Sequence, residues 1–146
     1  MNSIITVKKD YLLQCSELYV SVFNAAPWND KWTEETAYKR LEDIYNCPNF
    51  EGVLYVENED VKGAIFGNYE QFYDGIHYNL REMFTSPELQ GKGIGSKMLK
   101  SLEVRLKEVG VTEVMLFTGK GDITSKFYIK NGFSEWDSLA IMGKEI

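Results

Sequence analysis

The chain has 146 residues, 44% of them apolar and 14% aromatic, which suits a single domain over 1–146 with one substantial core. A formal charge of −6 and a sequence pI near 4.9 argue against a nucleic-acid partner, whose phosphates demand a basic surface. No run of about 18 apolar residues is present to span a bilayer, and the start Met1-Asn2-Ser3-Ile4-Ile5 is too short and uncharged for a secretory leader, so a cytoplasmic protein with no membrane association is expected.

Ile4-Ile5-Thr6-Val7 reads as a first strand, and Asp10 then caps a helix with Leu12, Leu13, Cys15, Leu18, Tyr19, Val22 and Phe23 at helical spacing, ending before Pro27. Thr33 opens a second helix, with Glu34 and Glu35 in its first turn and Ala37, Leu41 and Ile44 on one face. Pro48 marks its stop. Val53–Val56 and Gly63–Gly67 form two strands around the turn Asn58-Glu59-Asp60, and a third antiparallel strand runs from about Tyr78 to Thr85. Ile94, Met98, Leu99, Leu102, Leu106 and Val109 give one apolar helix face that stops at Gly110. The apolar run Val114–Thr118 follows as a strand. Cys15 and Cys47 stand apart, which points to neither a disulfide framework nor a metal cluster.

Between the third strand and its helix lies Met83-Phe84-Thr85-Ser86-Pro87-Glu88-Leu89-Gln90-Gly91-Lys92-Gly93-Ile94-Gly95-Ser96. Glycines at a strand-to-helix junction let the backbone turn tightly, and the free N–H groups of the helix start, with the positive end of its dipole, hold an anion such as a diphosphate. Spacing rules out two common phosphate motifs. An NTPase loop counted from Gly91 requires a glycine, a lysine and a hydroxyl residue, where this chain has Ser96, Lys97 and Met98. A dinucleotide fingerprint places its third glycine at Ser96 or Met98.

What remains is Gln-x-x-Gly-x-Gly, formed by Gln90, Gly93 and Gly95, followed in the same order by Val114–Thr118 and by Phe127-Tyr128-Ile129-Lys130-Asn131-Gly132-Phe133. These segments resemble the acyl-CoA-binding motif, the following strand and the Phe-Tyr-x-x-x-Gly-Phe signature of the GNAT N-acetyltransferases, from about Tyr78 to the C-terminus. The resemblance implies an α/β (α+β) GNAT fold: a mixed, mostly antiparallel sheet of six to seven strands, splayed at its centre, with about four helices in the order β-α-α-β-β-β-α-β-α-β-β. It also implies an acyltransferase of bacterial small-molecule type that moves an acetyl group from acetyl-CoA to a primary amine by direct attack in a ternary complex. The acceptor is a small-molecule or protein amine, and the protein is a monomer or a homodimer. The alternative is a non-catalytic acyl-CoA-binding sensor or interaction module.

By the same resemblance, the splayed strands are Leu80–Thr85 and Val114–Thr118, with the pantetheine arm between them like an added strand. The Met83 N–H meets the acetyl carbonyl, Thr85 bonds the pantetheine, and amides from Gly91 to Ser96 hold the diphosphate with help from Lys92. Phe84, Gln90, Gly93, Ile94, Gly95, Thr118 and Thr124 complete the expected cofactor contacts. Tyr128 gives a proton to the leaving sulfur. Glu82 is the candidate base, directly or through a water, although strand alternation turns it to the face opposite Met83 and Thr85; equally, it is a strand carboxylate bonded to a neighbouring Lys or Arg. Seven and four residues before Tyr128, many members have Asn and Ala. This chain has Gly121 and Thr124, so the loop 118–122 is expected to hold the cofactor by its backbone or through Asp122 or Thr124.

Acceptor choice is expected to lie with the connection between the first two helices and the loop before the central strand. Trp28 and Trp32 are expected to wall a cleft there, with Tyr69, Glu70, Tyr73 and Asp74 across it, a combination of rings and carboxylates that suits an amine. Equally, the two tryptophans staple the helices to the sheet. His77, the only histidine, is expected to be an exposed imidazole with no catalytic task. Without a Cys/His cluster no metal is expected.

Overall fold

Apolar alternation in the segments just described builds a five-stranded sheet in the simple order β1-β2-β3-β4-β5, in a computed structural model that describes all residues from Met1 to Ile146. In chain order the elements are β1 (Asn2–Thr6), α1 (Leu12–Phe23), α2 (Glu34–Tyr45), β2 (Phe50–Glu57), β3 (Asp60–Phe72), β4 (Gly75–Thr85), α3 (Ile94–Val109), β5 (Val111–Met115) and α4 (Ile123–Lys130). The first four strands pair antiparallel, and β5 joins β4 in parallel, as α3 carries the chain back across the sheet. No helix is long and apolar enough to cross a membrane.

The backbone falls into two compact units, Met1–Leu116 and Phe117–Ile146. In the first, strand alternation sends Leu54, Val56, Ala64, Phe66 and Phe84 to one face, where they bury against Leu12, Cys15, Tyr19 and Val22 of α1 and Ala37, Leu41 and Ile44 of α2. The opposite face lies under α3. There Met98 reaches the bare Cα of Gly63, and Arg105 forms a two-pronged ion pair with Glu51 of β2 at 2.6 and 3.0 Å. Tyr78 lies across β3 on this face and its hydroxyl donates to the Glu51 carbonyl at 2.7 Å. Only glycine at position 67 permits that crossing, because a Cβ there meets the Tyr78 ring and the Asn79 carbonyl at 2.5 Å or less.

The second unit holds α4 and the residues after it. The two final strands expected from the sequence do not form. A strand exists only where its N–H and C=O groups find a ladder, and residues 134–146 have none, with Leu139, Ile141 and Met142 at 62%, 73% and 90% exposure. Other boundaries shift as well. β5 begins three residues earlier than expected and ends before Phe117 and Thr118, and Asp10 sits inside a short 3-10 turn (Lys9–Tyr11) that leads into α1 without a side-chain cap. Leu13 faces outward at 59% exposure. Thr33 does cap α2, in a reciprocal pair with Thr36.

Cys15 is fully buried in α1, and burial pushes its thiol from an ordinary value of 9.0 up to about 12. The unfolded chain therefore releases this proton first, so the stability contributed by the neutral thiol is complete below about pH 9 and is lost as pH rises toward 12. The phenols of Tyr19 and Tyr78, also raised by burial, act in the same direction. Urea midpoints measured from pH 8 to 11 are expected to fall, and Cys15→Ala is expected to flatten that fall. An equally steep decline in the variant assigns it to other groups.

Candidate active site

The register of β4 creates the main-chain feature on which the site depends. Phe66 of β3 pairs with Glu82, but Gly67 pairs with Leu80, which leaves Arg81 as an extra residue in a β-bulge. The bulge switches faces: Tyr78 and Leu80 point toward α3, whereas Glu82 and Phe84 point toward α1 and α2. On the β3 side, the Ser86 N–H donates to the Lys62 carbonyl at 2.8 Å. In an antiparallel ladder inward and outward residues alternate, so Phe84 and Glu82 also direct their main-chain groups at β3, while those of Met83 and Thr85 point away from it. β5 does not reach them. Its pairing with β4 runs from Ile76 to Asn79 and then stops, so the two strands part at Leu80, and Met83 presents an N–H and a C=O that belong to no ladder.

The glycine corner lies at the end of this strand. Ser86, Pro87 and Leu89 make a short 3-10 turn, and the Gln90 side-chain amide reaches back to the Thr85 carbonyl at 3.3 Å, tying the loop to the strand. Gly91 and Gly93 adopt φ of 80° and 79°, and a Cβ at either meets nothing within 4 Å. Gly93 is the N-cap of α3 and supplies no side chain, and the first helical bond runs from the Lys97 N–H to the Gly93 carbonyl. The N–H groups of Ile94, Gly95 and Ser96 are thus the uncapped donors of α3. By contrast, α2 and α4 are capped by Thr33 and Asp122. An open corner with uncapped amides fits a diphosphate. Lys92 and Lys97 are exposed beside it.

Two expected cofactor residues contribute less than the motif implies. The Phe84 ring is buried against Tyr19 and Phe23 and its main-chain groups face β3, so it is a packing residue. The Ile94 side chain is also buried, which leaves only its amide.

Glu82, the expected base, is 14% exposed, and its Oε2 accepts from the Tyr19 hydroxyl at 2.9 Å and from Arg40 Nε at 2.9 Å. Burial, reinforced by the Glu82 charge, pushes the Tyr19 phenol well above its usual range, so Tyr19 remains a donor. The sequence reading of Glu82 as a strand carboxylate bonded to a Lys or Arg is met by Arg40, which it did not name, and Tyr19 was missed. A signal for Arg40 existed, since it stands at helical spacing with Ala37, Leu41 and Ile44, a charged residue on a buried stripe.

The acceptor residues divide into groups. Trp32 sets its ring edge on Tyr19 at 4.9 Å, Trp28 sets its own on Phe23 at 5.1 Å, and Asn24 bonds the Trp32 backbone in both directions, so the tryptophans extend the α1 aromatic cluster. Glu70 accepts from the Asn79 side-chain amide, and register places Glu70, Asn68 and Asn79 on the same face as Glu82. The Oδ1 of Asn68 is buried without a hydrogen-bond partner. Tyr69, paired with Tyr78, turns to the α3 face, away from Glu70.

In the second unit the Thr118 hydroxyl contacts Thr124 Oγ1 at 2.6 Å, Thr124 donates to Asp122 Oδ1 at 2.6 Å, and that oxygen also takes the Ser125 N–H at 3.0 Å as the cap of α4. These bonds, the Thr124 hydroxyl first, hold the Asp122 carboxyl below its usual range. Both threonines flagged by sequence thus belong to a capping network that spacing alone did not reveal. Gly121, where many relatives have Asn, adopts φ 72° beside open space. Tyr128 is half-buried in α4, with Phe127 and Phe133 edge-on at 5.3 and 5.4 Å.

A helix start without a side-chain cap thus lies next to a strand edge without a partner, the two main-chain features of this α/β protein that can accept an anion and an extended chain. The chain belongs to the GNAT acetyltransferase family: the family model described as Acetyltransferase (GNAT) family matches residues 12–133. An acetyltransferase of Sodalis glossinidius (strain morsitans) is 25% identical over 127 residues, covering 82% of this chain and 78% of that protein. Among solved structures, the aminoglycoside N-acetyltransferase AAC(6')-Iy in complex with CoA superposes with a TM-score of 0.78 at 14% identity, covering 100% of this chain and 96% of the other. An aminoglycoside acetyltransferase from an uncultured soil metagenomic sample, in complex with sisomicin, gives 0.77 at 16% identity, with 99% and 96% covered.

Proposed function

We propose that the chain is an acetyl-CoA-dependent N-acetyltransferase acting on a small cationic amine, and that 1–146 works as one catalytic domain. The observation that carries this reading is the Met83 N–H, turned out of the β3 ladder where β4 and β5 part, one short turn from the uncapped amides of α3. The α3 corner receives the diphosphate, and Thr85 and Met83 receive the extended arm as an added strand does. When bound, acetyl-CoA supplies an activated acyl carbon and a thiolate leaving group. Met83 N–H holds the carbonyl oxygen as charge develops on it, a contact worth about 3 kcal/mol in acyl transfer. The ammonium group gives one proton to solvent, and as the neutral amine attacks, Glu82, with Oε2 fixed by Arg40 and Tyr19, uses Oε1 to take the second proton directly or through a water while the C–N bond forms and the C–S bond breaks. Tyr128, matched by its motif, returns a proton to the sulfur.

The cationic acceptor follows from the α1–α2 face. Glu82, Glu70 and the unpartnered Asn68 oxygen make that strip of the sheet rich in acceptors, the complement of an ammonium group. Two structural neighbours are aminoglycoside acetyltransferases, which supports trying aminoglycosides first in an amine panel that also holds polyamines.

Thiol release from acetyl-CoA, followed across that panel, tests the reading. Steady turnover with at least one polycationic amine is expected, and Glu82→Gln should lower kcat by about 10²-fold while flattening the acid limb of the pH-rate profile. Tight coenzyme binding with no turnover against any amine overturns the enzyme and favours a sensor. An unchanged profile in Glu82→Gln removes that residue as the base.

A further inference from the structure

The closed end of the β4–β5 fork gathers three ligating side chains that the sequence disperses. Asp74 precedes β4, His77 follows on that strand, and Glu113 lies opposite His77 on β5. His77 Nε2 stands 3.0 Å from Asp74 Oδ1 and 3.9 Å from Glu113 Oε2, and the three ligand atoms all lie within 4.8 Å of one another. The imidazole is not the exposed group that sequence reading expects: its side chain is 18% exposed, and Phe72 stacks on the ring at 4.2 Å and 17°, which fixes its orientation.

The electrostatics of that nitrogen are unresolved by the protein itself. Nε2 is buried and makes no hydrogen bond, although a carboxylate oxygen is at contact distance, because the oxygen lies off the ring N–H direction. Nε2 thus faces two carboxylates, at 3.0 and 3.9 Å, and is hydrogen-bonded to neither. A cation shared by all three groups satisfies each of them. We propose that Asp74, His77 and Glu113 bind a divalent first-row transition metal ion of the zinc type.

The donor set agrees. Imidazole with carboxylate is a ligand combination for zinc and its neighbours, whereas magnesium prefers oxygen alone. With metal–ligand bonds near 2.1 Å, tetrahedral donors sit about 3.4 Å apart, and the observed 3.0 and 3.9 Å bracket that spacing. Asp74 and Glu113 are 46% and 43% exposed, so the site is reached from solvent and water completes the coordination. An ion here ties β4 to β5 just before the strands part, and the site stands independently of the acyl-transfer reading.

His77 is the only histidine, so its imidazole protons give unique NMR signals in the full chain. Zinc chloride is titrated into protein bearing Cys47→Ser, which removes the half-buried free thiol, with calorimetry and proton NMR read together. The expected result is one saturable site, His77 ring signals that shift with zinc at constant pH, and a raised thermal midpoint. His77→Asn is expected to abolish the site and Glu113→Gln to weaken it by about tenfold. Ring signals that follow pH but ignore millimolar zinc overturn the proposal and leave only a histidine–carboxylate ion pair. Undiminished zinc binding in folded His77→Asn overturns it too. If that variant does not fold, the ring signals of the histidine-containing chain decide.

Discussion

Phenylalanine at position 128 is expected to leave the fold intact and lower kcat by about 10³-fold, with little change in the KM for acetyl-CoA. The expectation separates two roles that tyrosine combines. Its ring lies edge-on to Phe127 and Phe133, and phenylalanine keeps both ring contacts. The substitution removes the hydroxyl, and with it the acid proposed for the departing sulfur. Thiol release under saturating amine, compared with the thermal midpoint of the same preparation, reads both quantities. A folded Tyr128→Phe protein that turns over at the parent rate ends the acid role for this residue.

Valine at Gly93 is expected to weaken coenzyme A binding by a similar factor through a different cause. The residue has φ 79°, where an L side chain costs about 1–2 kcal/mol. No protein atom stands within 4 Å of the new Cβ, so the strain is confined to the backbone of that residue and no packing clash adds to it. The added methyl groups enter open space beside the uncapped amides of α3, the proposed diphosphate site. Losing two charge-assisted hydrogen bonds, each worth about 1.5–3 kcal/mol, makes the dissociation constant about 10³-fold larger. Gly110→Ala provides the control, since Gly110 also has positive φ, 98°, but caps the far end of α3. It should cost stability and spare affinity. Calorimetry showing unchanged affinity in folded Gly93→Val would remove the corner as the coenzyme site.

The two variants probe features that differ in how openly the sequence displays them. Gly91, Gly93 and the apolar stripe from Ile94 to Leu106 are local, so residue order alone announces a strand, an anion corner and a helix. The Thr33 cap and the turn at Asn58 and Glu59, both with positive φ, are local in the same sense. Other features depend on pairing between distant segments. The bulge at Arg81 exists only against the register of β3, and the grip of Arg40 and Tyr19 on Glu82 exists only once α1 and α2 cross the sheet. His77 looked exposed because Glu113, its partner across the parallel pair, is 36 residues away. The run Leu139–Met142 illustrates the opposite error: its composition suits a strand, but no ladder receives it.

The outward amide of Met83 has a consequence for how this protein tolerates change. The donor belongs to the backbone, so nineteen of the twenty genetically encoded residues preserve it and proline alone deletes it. A survey that swaps side chains one at a time will therefore pass over the position almost silently, and an amide-to-ester replacement by chemical synthesis is the tool suited to weigh it.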